Sequence, residues 1–233
     1  MKRDVIIPAI IAETYDYLES RVRDVRHSVR RVQVDVMDGT YAPTVSWPYV
    51  GAEKEVFEAN RREDQGLPYW QDVEFEIDLM VLNPEKHLEA WALAGATCIL
   101  IHVESTDGLE HIVKECFDRR LELALALKPS TDIAVLAPYI ERALFVQCMG
   151  NDRIGYHGVP LDPTVLKKIR AIKEQWPHTV VGVDIGVSEE TLPDLVRAGA
   201  TRFAAGSAVF GRGDVTDAIA RLEKIVEDTR TQG

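Results

Sequence analysis

The chain has 233 residues, 46% of them hydrophobic, and carries a formal net charge of -11. That length suits one large core, and no apolar run approaches the span of a bilayer, so a membrane partner is not expected. The acidic balance argues against nucleic-acid binding, yet leaves room for a phosphorylated ligand held by backbone amides rather than basic side chains.

Short apolar strands alternate with amphipathic helical stretches, the pattern of parallel βα units. The first strand spans about 4–10, and a helix follows over about 14–27. Met1-Lys2-Arg3-Asp4 runs straight into Val5-Ile6-Ile7 without signal-peptide architecture, so the cytoplasm is the expected compartment. The second strand, Val32-Gln33-Val34-Asp35-Val36-Met37-Asp38-Gly39, sets its valines on one face and Gln33, Asp35 and Met37 on the other. Its long following loop, 40–48, carries aromatics, as a loop over an active site would. A helix is predicted over 52–60. The third strand repeats the layout: Val73, Phe75, Ile77 and Leu79 face one way, and Glu74, Glu76, Asp78 and Met80 the other. Such interior acids require partners.

Asn83-Pro84-Glu85 reads as a helix start, with a capping residue, a proline at the first position and an acid in the first turn. The fourth strand, 97–104, brings His102 and Glu104 to one side. In the fifth, 121–128, leucines face outward while Ala124, Ala126 and Lys128 face a crowded interior. The sixth, 143–149, leads into a glycine-bearing loop, and Asp162-Pro163 caps the next helix. Strands at 179–184 and 201–205 and a last helix at 215–228 complete eight strands and eight helices. The predicted fold is a single (β/α)8 barrel over residues 1–233. Cys98, Cys116 and Cys148 are odd in number and scattered, which predicts buried free thiols rather than disulfides or a zinc site.

Barrel chemistry sits at the C-terminal ends of the strands. The late, inward polar residues are Gln33, Asp35, Asp78, His102, Lys128 and Asp184, and the last three loops add Gly155, Gly158, Gly186, Gly206 and Ser207. Glycines there let backbone amides approach a phosphate. Three convergent carboxylates repel unless a cation or Lys128 lies among them.

These residues carry a resemblance to the ribulose-phosphate 3-epimerase family over nearly the whole chain. Val34-Asp35-Val36-Met37-Asp38-Gly39 is similar to the family's H-x-D-x-M-D-G, and Asp78-Leu79-Met80-Val81 to its H-L-M-V. Ala94-Gly95-Ala96 with Ile101-His102-Val103-Glu104, Val183-Asp184-Ile185-Gly186, and Ala205-Gly206-Ser207-Ala208-Val209-Phe210 follow in the family's order. The resemblance implies a ribulose-phosphate-binding barrel that takes a phosphorylated sugar, a homodimer or larger assembly, and proton transfer at C3 by Asp35 and Asp184 through an enediolate. It also implies a phosphate grip at Gly186, Gly206 and Ser207, with Met37 and Met80 lining the site.

The departures lie in the family's His, Asp, His, Asp metal set, whose positions here hold Gln33, Asp35, Asp78 and Asp184. The family's early serine is Ala9, and its strand-five asparagine is Lys128. Two accounts follow. An amide oxygen and three carboxylates make an all-oxygen site suited to Mg²⁺ or Mn²⁺. Alternatively, Lys128 pairs with Asp78 and supplies the positive charge. Correspondingly, the expected activity is a sugar-phosphate epimerase or isomerase. The alternatives are a lyase or aldolase using Lys128 and a non-catalytic sugar-phosphate binder.

Overall fold

The computed structural model describes residues 5–62, 66–156, 158–211 and 213–232. Its centre is a closed parallel barrel in chain order: β1 Ile6–Ile10, β2 Arg31–Met37, β3 Glu74–Met80, β4 Cys98–His102, β5 Glu122–Leu127, β6 Val146–Met149, β7 Val181–Asp184 and β8 Arg202–Ala205. Around it run α1 Tyr15–Val25, α2 Glu53–Arg62, α3 Leu88–Ala94, α4 Leu109–Arg119, α5 Thr164–Gln175, α6 Leu192–Ala198, the one-turn α7 Ser207–Phe210 and α8 Val215–Thr231.

The period-2 alternation divides the strands as expected. Val32, Val34, Val36, Phe75, Ile77 and Leu79 belong to the outer core beneath the helices. Met37, Met80, Leu100, Ala124, Ala126, Phe145 and Met149 form a second cluster inside the barrel. Small alanines on β5 make room there for the larger side chains opposite.

Helix starts follow local chemistry where a short polar side chain reaches back. The Thr14 hydroxyl accepts from Tyr17 N, and Asp214 from Thr216 N and Asp217 N. Asp162, expected as a cap, lies one residue before the N-cap Pro163; its Oδ1 accepts from Thr164 N across a turn, and α5 has no side-chain cap. Asn83 departs from its expected role. It sits in the left-handed region at φ 55° and makes no side-chain cap bond; Pro84–Lys86 forms a single 3₁₀ turn, and α3 begins only at Leu88. The fourth strand stops at His102, two residues short of its predicted end, because 103–105 turns into a 3₁₀ segment.

The alternation of helix and strand is also broken once. Between β5 and β6 stand two 3₁₀ turns, Ile133–Leu136 and Ile140–Arg142, and no α-helix. Pro129 and Pro138 punctuate this connection, and a proline inside a helix removes a backbone bond and clashes with the preceding turn.

The N-terminal end of the interior holds the acids that needed partners. Arg31 Nη2 donates to Glu74 Oε2 at 2.5 Å and to Glu122 Oε2 at 2.8 Å. Arg202 Nη2 donates to the fully buried Glu76 at 2.6 Å, and its guanidinium lies 3.8 Å from the centroid of the Phe145 ring. Burial pushes the Glu76 carboxyl up, with Arg202 and then Arg31 drawing it back. The register pairs Gln33 with Glu76 and Asp35 with Asp78, so each strand climbs from structural ion pairs toward the site. All three cysteines are buried free thiols.

Candidate active site

Asp35 and Asp78, each two residues before the end of β2 and β3, and Asp184, the last residue of β7, lie toward the C-terminal mouth of the barrel. Each is buried, and one oxygen from each lies within 4.8 Å of the others. Burial raises the Asp35 carboxyl well above its ordinary range, with Asp184 and then Asp78 adding to the push. The same causes, burial first and then Asp78, take Asp184 from 3.8 to about 7. A hydrogen bond from Ile185 N at 2.7 Å opposes the rise. Crowding of this kind lets one carboxyl hold a proton beside an ionised neighbour.

Between about pH 4 and 7 the folded protein therefore keeps a proton on Asp184 that the unfolded chain has lost. The stability linked to this group is complete below the unfolded value near 3.8 and is lost as pH rises through about 7. In chelator, Asp184→Asn is expected to raise stability over the parent at pH 8 by on the order of 1–4 kcal/mol, and much less at pH 4. Urea midpoints at the two pH values measure this; an equal gain at both would refute it.

Asp78 is held by His102, whose Nε2 lies 3.0 Å from Asp78 Oδ1, with both side chains fully buried. The Tyr41 hydroxyl stands 3.4 Å from His102 Nδ1 and donates to Glu104 Oε2 at 2.9 Å. Lys128 is not the partner of Asp78. Its Nζ lies 4.4 Å from the centroid of the Tyr41 ring, and its backbone N–H donates to Glu104 at 2.8 Å. The short imidazole on the neighbouring strand reaches Asp78, while Lys128, one strand further round, lies over an aromatic face.

Gln33 also differs from the oxygen ligand that its position suggested. Its Nε2, not its oxygen, points at the carboxylates, donating to Asp35 Oδ1 at 2.8 Å and to Asp184 Oδ2 at 3.4 Å. Asp78 Oδ2 is buried without a hydrogen-bond partner. Three carboxylates, one with an orphaned oxygen, fit a hard divalent cation, which takes oxygen ligands and would neutralise their repulsion.

A cleft of about 520 Å³, including space open to solvent, lies over Asp35 and Asp184. Met80, Gly155, Gly158, Gly186, Gly206 and Ser207 line it as well. Gly155 (φ 83°) covers Met37, whose Sδ would lie 2.9 Å from a Cβ there, so Met37 supports the cleft from below and does not line it. His102 and Lys128 do not line it either. Gly186 (φ 74°) packs so closely on Leu161 that a Cβ would fall 2.7 Å from its backbone. His157 lies outside the described residues.

Sequence reasoning missed Met149 and Ile185, which line the cleft, and Gln147 beneath it. The strand parity that selected Asp184 would also have selected Met149 and Gln147, but the sixth strand's polar content gave no reason to look. Ile185 is a β-branched residue held at φ 72°, a costly conformation that raises its N–H to the Asp184 carboxylate. The loop at 40–48 is tied across the mouth: Thr44 Oγ1 donates to Gly155 O at 2.7 Å, and Ser46 Oγ donates to Asp35 O at 2.7 Å. Among the described residues, no helix is long and apolar enough to cross a membrane.

Known proteins resemble this chain in sequence and in fold. The chain is 29% identical to the ribulose-phosphate 3-epimerase of Eremothecium gossypii over 98% of its own length and 95% of that protein's. It is 26% identical to that of Bacillus subtilis, over 93% and 97% of the two chains. Among solved structures, a ligand complex of KGPDC from Streptococcus mutans superposes with a TM-score of 0.73 at 15% identity, covering 96% of this chain and 97% of that one. 3-Hexulose-6-phosphate synthase from Salmonella typhimurium gives 0.70 at 13% identity, over 98% and 100%. At those identities the superpositions speak for the barrel. The model of the ribulose-phosphate 3 epimerase family matches residues 5–210, from the first strand through the one-turn helix after the last, and the chain belongs to that family of isomerases.

Proposed function

We propose that this protein epimerises a phosphorylated ketose at the carbon beside the carbonyl, with Asp35 and Asp184 as the proton-transfer pair. The observation that carries this is two buried carboxylates facing one cleft, both with raised affinity for protons. In the working state one is ionised and takes the C3 proton. The other carries a proton and returns it to the opposite face, and the pair exchanges roles for the reverse reaction. Met80 and Met149 give the cleft apolar walls that exclude water from the reacting carbon. Gly186, Gly206 and Ser207, at one end of the cleft, are the proposed phosphate grip, acting through backbone N–H groups.

Asp35, Asp78 and Asp184 would hold a divalent cation, Mg²⁺ or Mn²⁺ by the all-oxygen donor set. When bound, it supplies positive charge against the developing enediolate. His102 keeps Asp78 in place. A lysine-imine aldolase reading finds no support, because Lys128 lies off the cleft and over Tyr41.

The deciding experiment follows D-ribulose 5-phosphate in D₂O by NMR, with Mg²⁺, with Mn²⁺ and with chelator. Deuterium entering at C3 together with xylulose 5-phosphate formation is the expected result, with chelator lowering the rate. Folded protein that gives no exchange under any condition overturns the reading for this substrate.

A further inference from the structure

A second buried amide lies against Gln33 inside the barrel. Gln147, on β6 and 114 residues away in the chain, donates from Nε2 to Gln33 Oε1 at 3.2 Å. With that bond made, the Gln33 amide presents its nitrogen to the carboxylates. Among the described residues, Gln33 is the one side chain that donates to the Asp35 carboxylate, and the same nitrogen reaches toward Asp184. The reverse orientation would press an amide oxygen against whichever of the two carboxylates is ionised, acceptor facing acceptor in a low-dielectric interior.

We propose that Gln147 is a positioning residue: it locks the Gln33 amide with its nitrogen toward the aspartates, so that Asp35 and Asp184 are bridged by hydrogen bonds in the cation-free protein. The neutral bridge fixes the spacing of the pair, and it commits the Gln33 oxygen to Gln147. Gln33 then serves as the internal holder of the two acids. Gln147 touches neither of the acids and acts through Gln33 alone.

The inference rests on the reading of Asp35 and Asp184 as the proton-transfer pair, but its main test needs no turnover. Protein labelled with ¹⁵N-glutamine is examined by NMR in chelator, the Gln33 side-chain amide being assigned by its loss in Gln33→Met. Gln147→Met is expected to speed exchange of the Gln33 amide protons with solvent about two- to tenfold, the worth of one neutral hydrogen bond. Gln147→Asn keeps an amide one carbon too short and should behave the same way; it carries the test if the Met variant does not fold. An unchanged Gln33 signal in either folded variant overturns the proposal. In kinetics, Gln147→Met is expected to lower kcat with KM unchanged, and to add nothing in a Gln33→Met background; additive losses would also overturn it. Slow exchange of the Gln33 amide in a wild-type protein without turnover would instead refute the epimerase reading and leave the bridge standing.

Discussion

Asp35→Asn is expected to lower kcat for ribulose 5-phosphate epimerisation by about 10²- to 10⁴-fold, the range for losing a positioned acid-base group. Asparagine has nearly the same shape and leaves the strand pairing of Asp35 with Asp78 in place. It cannot take a proton from carbon. The variant should also gain from relief of the repulsion with Asp184 and Asp78, so a loss of activity cannot be put down to unfolding. Asp184→Asn should show a comparable loss. Exchange of the C3 hydrogen with D₂O separates the two roles: a variant lacking one carboxyl group can still wash out the proton that the other aspartate handles. An Asp35→Asn enzyme with parental kcat would remove Asp35 from the chemistry.

The second large effect lies at the other end of the barrel. Arg202→Met is expected to cost on the order of 3–5 kcal/mol of stability, because it strands the buried Glu76 carboxylate. Replacing Glu76 by Met as well should recover much of that loss, since the cost comes from the uncompensated charge rather than from the missing guanidinium. Urea denaturation of the two single variants and the double variant measures the coupling. Strictly additive losses would show that Glu76 does not depend on Arg202. Arg31 keeps a weaker hold on Glu76 at 3.9 Å, which limits the effect without cancelling it.

The two ends of the interior share one physical rule. A buried charge survives where a partner of opposite sign or a hydrogen-bond donor is fixed beside it. At the bottom, Arg31 and Arg202 meet Glu74, Glu76 and Glu122 with full charge. At the mouth, Asp35 and Asp184 receive only an amide and a backbone N–H, and Asp78 receives His102. Undercompensation raises the affinity of Asp35 and Asp184 for protons, which the proposed proton transfer requires.

Much of this was legible from the residues in order. A period of two on β2, β3 and β5 divided their expected residues between the two faces, because a strand's geometry forces alternate residues to opposite sides, but it left out Arg31, one residue before the expected second strand. Asp35, Asp184, Gly155, Gly186, Gly206 and Ser207 were placed at the mouth by that parity and by strand order, and all line the cleft. Helix caps at Thr14 and Asp214 also follow from neighbours within three residues.

Other features were decided only by the closed barrel. Parity says that a side chain points inward; it does not say which of seven other strands it meets. Asp78 found His102 across 24 residues rather than Lys128 across 50, because β4 is its neighbour and β5 is not. Gln33 presents its nitrogen to Asp35 and its oxygen to Gln147, 114 residues on. Met37 was covered because the β6 loop folds back over it. Local rules settle the face on which a residue lies, since backbone geometry is a short-range property. The partner is settled by closure of the barrel, which brings distant strands to one axis and leaves buried polar groups to pair with whatever stands opposite.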